Sequence, residues 1–390
     1  IEEREARPEL QNYGLGQDPL SEEIKKDATI ASDAFKFNVS KKGNFTNPKA
    51  ILLTGVTGFV GLNILVELLA SSSADIYLLI RADNETLAKE RLFEALENQL
   101  ISADIFDEKR IKILAGDLAK PLLGLSTEKY DELAEIIDVV HHAGSAVNFI
   151  QPYSYMKAAN VDALYTLIRF ITTHQLKQLS LLSTVGVFSW EHYFTKPALI
   201  MEDTDTQSAF KYLSRDMGYI QSKWVMEQVA QEAIKQGVPI VIFRLGYVFC
   251  HSLTGATAKY QWWGSLIKTC IQLKAYPILI DQKEELTMVD FVSKAITYIS
   301  KNPDSIGQIF HLSPEPEDNM TVTEFFELLR EEFNFDLKPV PYLEWRALWE
   351  NDENSPLYPL LNLFKFVAYD NKSIIEVHQN TPDFDISNTK

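Results

Sequence analysis

Three residues in the middle of the chain could together protonate an oxygen atom at a reacting carbonyl. Tyr219 and Lys223 are four residues apart in G-Y-I-Q-S-K, so they share one face of a helix. Thr184 follows the apolar run Leu179–Ser183, at the end of a predicted strand. A free tyrosine has a pKa of about 10, which a neighbouring ammonium would lower. Because Y-x-x-x-K is common and usually structural, the elements around it must decide.

The most informative of these elements is a strand, turn and helix that begin near residue 50. The apolar strand Ala50–Thr54 leads into Gly55, Gly58 and Gly61, and an apolar-periodic helix follows. Gly55 permits a tight turn, Gly58 lets backbone N–H groups approach a pyrophosphate, and Gly61 lets the helix pack on the strand. The positive N-terminal end of the helix attracts phosphate. The spacing G-x-x-G-x-x-G alone fits an ordinary βα turn equally well.

The end of the second predicted strand indicates which dinucleotide would bind. Arg81 directly follows the strand Ile76–Ile80. At this place an acidic residue selects a free ribose 2′-OH, whereas an arginine accommodates a 2′-phosphate through bidentate contacts. The sequence therefore favours NADP over NAD. Arg91 on the next helix is a second candidate cation or simply a solvated residue, and Asp83 argues mildly against a phosphate site.

Two further strand ends are candidates for contacts with the same cofactor. Asp117 follows the third predicted strand and could accept a hydrogen bond from the adenine amino group, or it could belong to an ordinary Gly-Asp turn. Ala143 and Gly144 follow the fourth strand, where small residues let the backbone meet the nicotinamide ribose or pack on a helix. The positive charge of an oxidised nicotinamide would add to the effect of Lys223 on Tyr219.

Strands and helices alternate over most of the chain. This succession predicts an α/β fold with a Rossmann-type doubly wound parallel sheet, and the near-continuous apolar strands fit burial on both faces. We predict strands Ala50–Thr54, Ile76–Ile80, Arg110–Leu114, Ile137–His141, Leu179–Ser183, Pro239–Leu245 and Gln308–Leu312, and helices at about Ser21–Lys26, Glu85–Leu100, Tyr155–Thr173, Tyr219–Lys235, Ser265–Leu273, Phe291 onwards and Thr321–Phe333.

The same pattern gives the domain organisation. Residues 1–47 are predicted to be a linker with one short helix. Residues 48–250, with return segments at about 286–312, are predicted to form the NADP-binding domain. Residues 251–285 and 313–390 are assigned to a smaller, mostly helical C-terminal substrate subdomain.

Composition excludes several classes of partner. The net charge of −17 argues against nucleic acid and against anionic membrane surfaces, and no apolar run has the length of a membrane span. The two cysteines, Cys250 and Cys270, are expected to be reduced, as in a cytoplasmic protein, and the seven histidines show no metal-ligand spacing. Because the chain does not begin with Met, we expect it to be a piece of a longer protein.

These motifs together resemble extended short-chain dehydrogenases. More closely, the chain is similar to the thioester reductase (terminal reductase) domains of nonribosomal peptide and polyketide synthetases, carboxylic acid reductases and aminoadipate reductases. The resemblance covers about residues 48–312 and rests on Leu53–Gly61, Tyr77–Ala82, Gly116–Leu118, His142–Asn148, Pro152-Tyr153, Ala159–Val161, Ser183-Thr184, Gly218–Trp224, Arg244–Gly246, Thr254-Gly255 and Val289-Asp290. His142, Ser145 and Leu245 depart from the commoner family residues, which are Asn, Ala and Pro.

The resemblance implies a function. Such domains use NADPH to reduce an acyl or peptidyl thioester on the phosphopantetheine arm of a carrier protein, releasing an aldehyde or, after a second reduction, an alcohol. It implies an upstream carrier domain as partner and a monomer for the excised domain. The implied catalytic residues are Thr184, Tyr219 and Lys223; the implied cofactor-binding residues are Gly55, Thr57, Gly58, Phe59, Val60, Gly61, Arg81, Arg91, Asp117, Leu118, Ala143, Gly144, Ser183, Tyr219 and Lys223.

Three alternatives stay open at this point. A fatty acyl-CoA reductase would use the same three catalytic residues, although the acidic composition weakly disfavours a CoA ester. A nucleotide-sugar epimerase or dehydratase shares the cofactor fold, but the L-x-R-A strand end at Arg81 speaks against it. A non-catalytic NADP-binding module commonly lacks the tyrosine or the lysine, and both are present here.

Overall fold

The computed structural model of the protein describes residues 12–258 and 261–390. Its longest strands are near-continuous apolar runs that are buried on both faces, as the sequence predicts. The strands of the described chain are β1 (Ala50–Thr54), β2 (Asp75–Arg81), β3 (Ile111–Gly116), β4 (Val139–His142), β5 (Gln178–Thr184), β6 (Leu199–Ile200), β7 (Ile240–Leu245), β8 (Tyr247–Val248), β9 (Ala275–Ile278), β10 (Leu286–Thr287), β11 (Ile309–Leu312), β12 (Lys338–Pro341), β13 (Val367–Tyr369), β14 (Lys372–Ser373) and β15 (Asp383–Phe384).

The helices cover the sheet and build the C-terminal region. Their starts follow local capping rules: Asn84 caps one helix by accepting the Leu87 N–H group, and Thr321 and Glu324 form a reciprocal capping box, as their spacing predicts. The described helices are α1 (Pro19–Asp27), α2 (Phe59–Ser71), α3 (Glu85–Asn98), α4 (Thr127–Ile136), α5 (Tyr153–Lys157), α6 (Ala163–Ile171), α7 (His192–Thr195), α8 (Phe210–Leu213), α9 (Gly218–Lys235), α10 (Trp262–Leu273), α11 (Val289–Ile299), α12 (Val322–Glu332), α13 (Tyr342–Ala347), α14 (Leu361–Lys365) and α15 (Ile374–Val377).

Seven of the strands form one parallel sheet in the order β11-β7-β5-β4-β1-β2-β3. The order reverses between β1 and β4, which are hydrogen-bonded neighbours. One core cluster joins α4, α6 and α9 to one face of the sheet, and a second joins α2, α3 and α11 to the other face. The predicted doubly wound parallel sheet is therefore confirmed.

Two helical stretches differ from the prediction. Helix α4, which Ser126 caps through the Lys129 N–H group, was missed between β3 and β4. The single helix predicted over Tyr155–Thr173 is instead α5, a π-helical turn at Ala158–Asp162, and α6. The π-helical turn contains Asn160, which is fully buried and hydrogen-bonded outside its own helix. Tertiary contacts of this kind override a simple helical period.

The described part of the predicted linker packs on the sheet domain. The predicted short helix lies within α1, which is anchored at one end by Asp18, whose carboxylate accepts the Ser214 hydroxyl at 2.6 Å. At its other end Asp27 forms an ion pair with Lys157 at 2.7 Å. Phe35 lies in the main core, so burial of apolar side chains holds this polar segment in place. Residues 1–11 of the predicted linker lie outside the described residues.

The C-terminal region has its own aromatic core. Trp263, Trp345 and Trp349 are buried in a third cluster, which also takes in Trp190 and Tyr212 from the range predicted for the NADP-binding domain. Short helices and two-stranded pairs build this region, and β15 returns to pair with β6. The predicted domain boundaries stay a prediction. Tyr260, part of the predicted inserted segment, lies outside the described residues.

Candidate functional site

The candidate site lies at the carboxyl ends of β1, β4 and β5. In an open parallel sheet, a crevice forms where the strand order reverses, and ligands bind there. Here the reversal lies between β1 and β4, where Thr54 and His142 are paired residues. Thr184, the last residue of β5, stands one strand further along the same edge.

The glycine turn after β1 is as tight as the sequence predicts. Gly55 has a φ of +73°, and a Cβ there would stand 2.4 Å from the carbonyl oxygen of Ala143. A Cβ on Gly61 would stand 2.2 Å from the carbonyl oxygen of Gly55, so only glycine lets α2 approach the turn this closely. Gly58 is exposed and precedes α2 without a side-chain cap. The first N–H groups of α2 are thus available to an anion.

The remaining turn residues line the approach to this cradle. Thr57, Phe59 and Val60 are all partly exposed at the start of α2. No acidic side chain stands in the first turn of this helix, so nothing there opposes a bound phosphate. The structure therefore brings the whole predicted Gly55–Gly61 segment to the crevice.

A cavity of about 790 Å³ opens beside the ends of β2 and β3. Arg81 and Arg91 both line it, and the Arg91 guanidinium donates to the Arg81 carbonyl oxygen, which turns it toward the strand end. Lys120 is a third cation on the wall, which the sequence reasoning missed. Four carboxylates, Asp83, Glu90, Glu94 and Asp117, also line the cavity, so selectivity for a phosphate there would depend on directed contacts rather than net charge.

The loop after β3 forms the ordinary Gly-Asp turn that the sequence offered as the alternative to an adenine contact by Asp117. The Asp117 Oδ1 atom accepts the backbone N–H of Ala119 at 3.0 Å, which is an Asx turn. Leu118 lies close to Gly144, the second residue after β4. A Cβ on Gly144 would stand only 2.9 Å from the Leu118 Cδ1 atom. Gly144 therefore permits a close approach between the loops after β3 and β4. Ala143 forms part of the floor under Gly55.

The three candidate catalytic residues meet at the end of β5. Thr184 Oγ1 accepts the Gly186 N–H at 3.1 Å, which orients its side chain beyond the strand. Tyr219 lies in the first turn of α9, with its ring packed edge-on against Phe149 at 6.1 Å between centroids. The Lys223 Nζ atom stands 5.9 Å from the centroid of the Tyr219 ring. The four-residue spacing therefore places both side chains on the predicted side of α9.

In the domain without cofactor, burial and Thr184 act on the pKa of Tyr219 in opposite directions. Burial raises the pKa of the phenol above its ordinary value, and a hydrogen bond with Thr184 opposes that rise. The Lys223 ammonium donates to Ser145 Oγ and to the Leu182 carbonyl oxygen, both at 2.7 Å. Burial lowers the pKa of Lys223 to about 7, while Glu227 raises it. Without cofactor, Tyr219 is therefore a neutral phenol.

The Ser183 hydroxyl is bound to a side chain of helix α9. It donates to Glu227 Oε2 at 2.8 Å, and the Ser183 side chain is buried. Glu227 in turn pairs with the fully buried Arg244.

Two residues besides Lys120 were missed as functional candidates. Ser145 contacts Lys223, and the only sequence signal was its departure from the commoner alanine. Asn160 binds both backbone groups of Ala146 through its amide and donates to Ser222 Oγ at 2.8 Å. Its segment was singled out in the sequence, but no spacing rule connects it with a loop that precedes it by 14 residues.

We also searched the described residues for a metal site, a membrane-spanning helix and a disulfide. Within residues 12–258 and 261–390, no group of three or more His, Cys, Asp or Glu side chains is placed to hold a metal ion. Among these same residues, no helix is both long and apolar enough to cross a bilayer. Cys250 and Cys270 are both free thiols.

Comparison with known proteins identifies the family. Residues 53–296 match the NAD-binding family described as "Male sterility protein". The chain is 33% identical over 346 residues to the nonribosomal peptide synthetase asaC of Aspergillus flavus, covering 87% of this chain and 34% of that protein. It is 34% identical over 376 residues to a linear gramicidin synthase of Brevibacillus parabrevis, covering 93% of this chain and 7% of that protein.

A solved structure agrees with this result. The terminal R domain of the myxalamid PKS-NRPS pathway superposes with a TM-score of 0.84 and 31% identity, covering 95% of this chain and 90% of that one. The chain spans about a third of the length of the first curated relatives that it matches. With the nicotinamide-dinucleotide fold and the site described above, the chain belongs to this NAD-binding family and, within it, to the terminal reductase domains of nonribosomal peptide synthetases.

Proposed function

We propose that this domain performs NADPH-dependent reductive release of an acyl or peptidyl thioester from the phosphopantetheine arm of a carrier protein. One observation carries the proposal above all others: Thr184, Tyr219 and Lys223 lie together at the carboxyl end of β5, on the same edge of the parallel sheet as the glycine turn after β1. The relatives that are named as synthetases, and the myxalamid R domain, support the same reaction class.

The residues present fit a bound dinucleotide phosphate. The backbone around Gly55 and Gly61 leaves no room for a Cβ at either position, and the uncapped start of α2 offers N–H donors to a pyrophosphate. Arg81 and Arg91 line the cavity beside the end of β2, and a 2′-phosphate bound there would meet both guanidinium groups, which supports NADPH as the preferred form. Lys120, on the same cavity wall, would add a third cation.

When bound, the reduced nicotinamide supplies the hydride for the thioester carbonyl. The Thr184 hydroxyl and the Tyr219 phenol would donate hydrogen bonds to the oxygen of that carbonyl, where negative charge develops. Because burial keeps the phenol protonated, Tyr219 has a proton to give to this oxygen. Lys223 would hold the ribose and bring its positive charge to within reach of Tyr219. Collapse of the resulting hemithioacetal gives an aldehyde and the free thiol.

The partner and setting follow from the same comparison. Because the matched relatives are multidomain synthetases, we propose a carrier domain in the same polypeptide as the thioester donor. We further propose that the excised domain is monomeric and works in the cytoplasm, which the two free thiols support. A second reduction of the aldehyde to an alcohol would use the same site.

NADPH oxidation by the purified domain tests the proposal when three substrates are offered separately. An acyl thioester on a phosphopantetheinylated carrier protein should be consumed, whereas acyl-CoA should react more slowly and a nucleotide sugar not at all. Tyr219→Phe should lose nearly all turnover while keeping its affinity for NADPH. Tyr298→Phe, which alters an 81%-exposed side chain on α11, is the matched control and should retain wild-type turnover. Full turnover by Tyr219→Phe would refute the assignment.

A further inference from the structure

We propose that Ser145 is a positioning residue that holds the Lys223 ammonium in place for the nicotinamide ribose. The inference rests on the proposed function, because it needs NADPH as the ligand. Its physical basis lies in the hydrogen bonds of Lys223 and in the rigidity of the loop that carries Ser145.

The hydrogen bonds of Lys223 account for two of its three N–H donors. The side chain is only 2% exposed, so water cannot substitute freely for protein acceptors. Ser145 Oγ and the Leu182 carbonyl oxygen each accept one N–H group at 2.7 Å. No other acceptor for Nζ occurs among the residues the structure describes. The third N–H group therefore has no protein acceptor among these residues, and Nζ stands 5.9 Å from the centroid of the Tyr219 ring.

Ser145 can hold the Lys223 ammonium in one position because the loop that carries Ser145 is itself held by Asn160. The next residue, Ala146, has its N–H and its carbonyl oxygen bound by the amide of Asn160, at 2.8 and 3.1 Å. Asn160 also donates to Ser222 Oγ, which lies next to Lys223 on α9. The loop after β4 and helix α9 are thereby held together by two adjacent links. A hydroxyl on such a loop is pre-organised as an acceptor.

The charge of Lys223 depends on these acceptors. Its ammonium is buried and close enough to His142 to lower the pKa of that imidazole; His142 is also buried, with its Nδ1 atom paired to Thr54 Oγ1 at 2.7 Å. The groups that face Lys223 are therefore His142, Tyr219, Ser145 and, one turn along α9, Glu227. Of these, Glu227 raises the pKa of Lys223, whereas burial lowers it to about 7. Removal of the Ser145 hydroxyl takes away an acceptor that stabilises the charged form, so the pKa should fall further.

A double-mutant cycle on NADPH binding tests the inference without any turnover. Ser145→Ala should weaken NADPH binding about tenfold near neutral pH, which corresponds to the loss of one hydrogen bond to a charged group. The pH above which affinity declines should also move to a lower value. In a Lys223→Met background, Ser145→Ala should cause no further loss, because the residue acts through the lysine.

Ser180→Ala is the matched control. It removes a buried hydroxyl in β5 that is bonded to Ser300 at 2.9 Å, away from the site, so it should lower thermal stability but leave NADPH affinity unchanged. An equal loss from Ser145→Ala in both lysine backgrounds would overturn the inference, as would wild-type affinity with an unmoved pH dependence. Failure of the proposed function looks different: the wild-type domain itself would then bind no NADPH or consume none with an acyl thioester.

Discussion

Replacement of Gly61 by alanine should displace helix α2 from the glycine turn. The new Cβ would stand 2.2 Å from the carbonyl oxygen of Gly55 and 3.1 Å from the Cα atom of Val56. Both obstructing atoms belong to the backbone, so no side-chain rotation relieves the overlap. Overpacking of this kind costs about 1–3 kcal/mol, and a Cβ in a helix returns about 0.5–1 kcal/mol of that. We expect a net loss of about 1–2 kcal/mol in the free energy of unfolding.

The same displacement should impair cofactor binding, because the N–H groups that would meet the pyrophosphate move with α2. Gly264 offers a matched control, since it is the third residue of α10 as Gly61 is of α2. Nothing in the described chain lies within 4 Å of a Cβ at Gly264, so Gly264→Ala should leave stability equal or higher and NADPH binding intact. Urea unfolding and fluorescence titration with NADPH measure both effects. Wild-type behaviour of Gly61→Ala in both assays would refute the reasoning.

Three further predictions concern charges in and behind the site. Arg81→Ala should raise the Kd for NADPH about tenfold but leave the Kd for NADH nearly unchanged in parallel titrations, since only a 2′-phosphate is lost as partner. NADPH affinity of the wild-type domain, titrated from about pH 6 to about pH 9, should fall as the pH rises through the Lys223 pKa of about 7, because the ammonium loses its proton; Lys223→Met should abolish this dependence. Glu227→Gln should lower the free energy of unfolding in urea by about 3–5 kcal/mol, since Arg244 keeps its charge in the core without a counter-charge. Glu232→Gln, at a partly exposed position of the same helix where the carboxylate pairs with the exposed Lys235, should change it by less than about 1 kcal/mol.

The parts of the site that the sequence predicted correctly depend on local rules. Gly55 and Gly61 reveal the turn because their spacing follows an apolar strand and precedes an apolar-periodic helix. Tyr219 and Lys223 share a helix face because they are four residues apart. Parallel strands then bring Thr184 to the same edge, since the carboxyl ends of all seven strands lie together. Each of these inferences needs only periodicity and the handedness of βαβ units.

The parts that the sequence did not reveal depend on contacts between distant segments. Ser145 and Lys223 are 78 residues apart, and their hydrogen bond depends on the path of the loop after β4. The Ser183 hydroxyl donates to Glu227 on helix α9, 44 residues further along the chain. The N-terminal segment is polar enough to suggest a linker, yet Phe35 fixes it in the core. No spacing in a single sequence encodes these pairings.

The ionisation of the site should change when the cofactor arrives, on the function proposed above. Without it, burial favours neutral groups: Tyr219 keeps its proton, and the Lys223 pKa of about 7 leaves the amine only partly charged at neutral pH. A dinucleotide phosphate brings negative charge and ribose hydroxyls to the free N–H group of Lys223, which favours the ammonium. The ammonium and a positively charged oxidised nicotinamide would then stabilise a phenolate after Tyr219 has given up its proton. Because the pKa of Lys223 is about 7 in the free domain, its amine becomes fully protonated near pH 8 only when the cofactor is bound. NADPH binding near pH 8 should therefore take up protons.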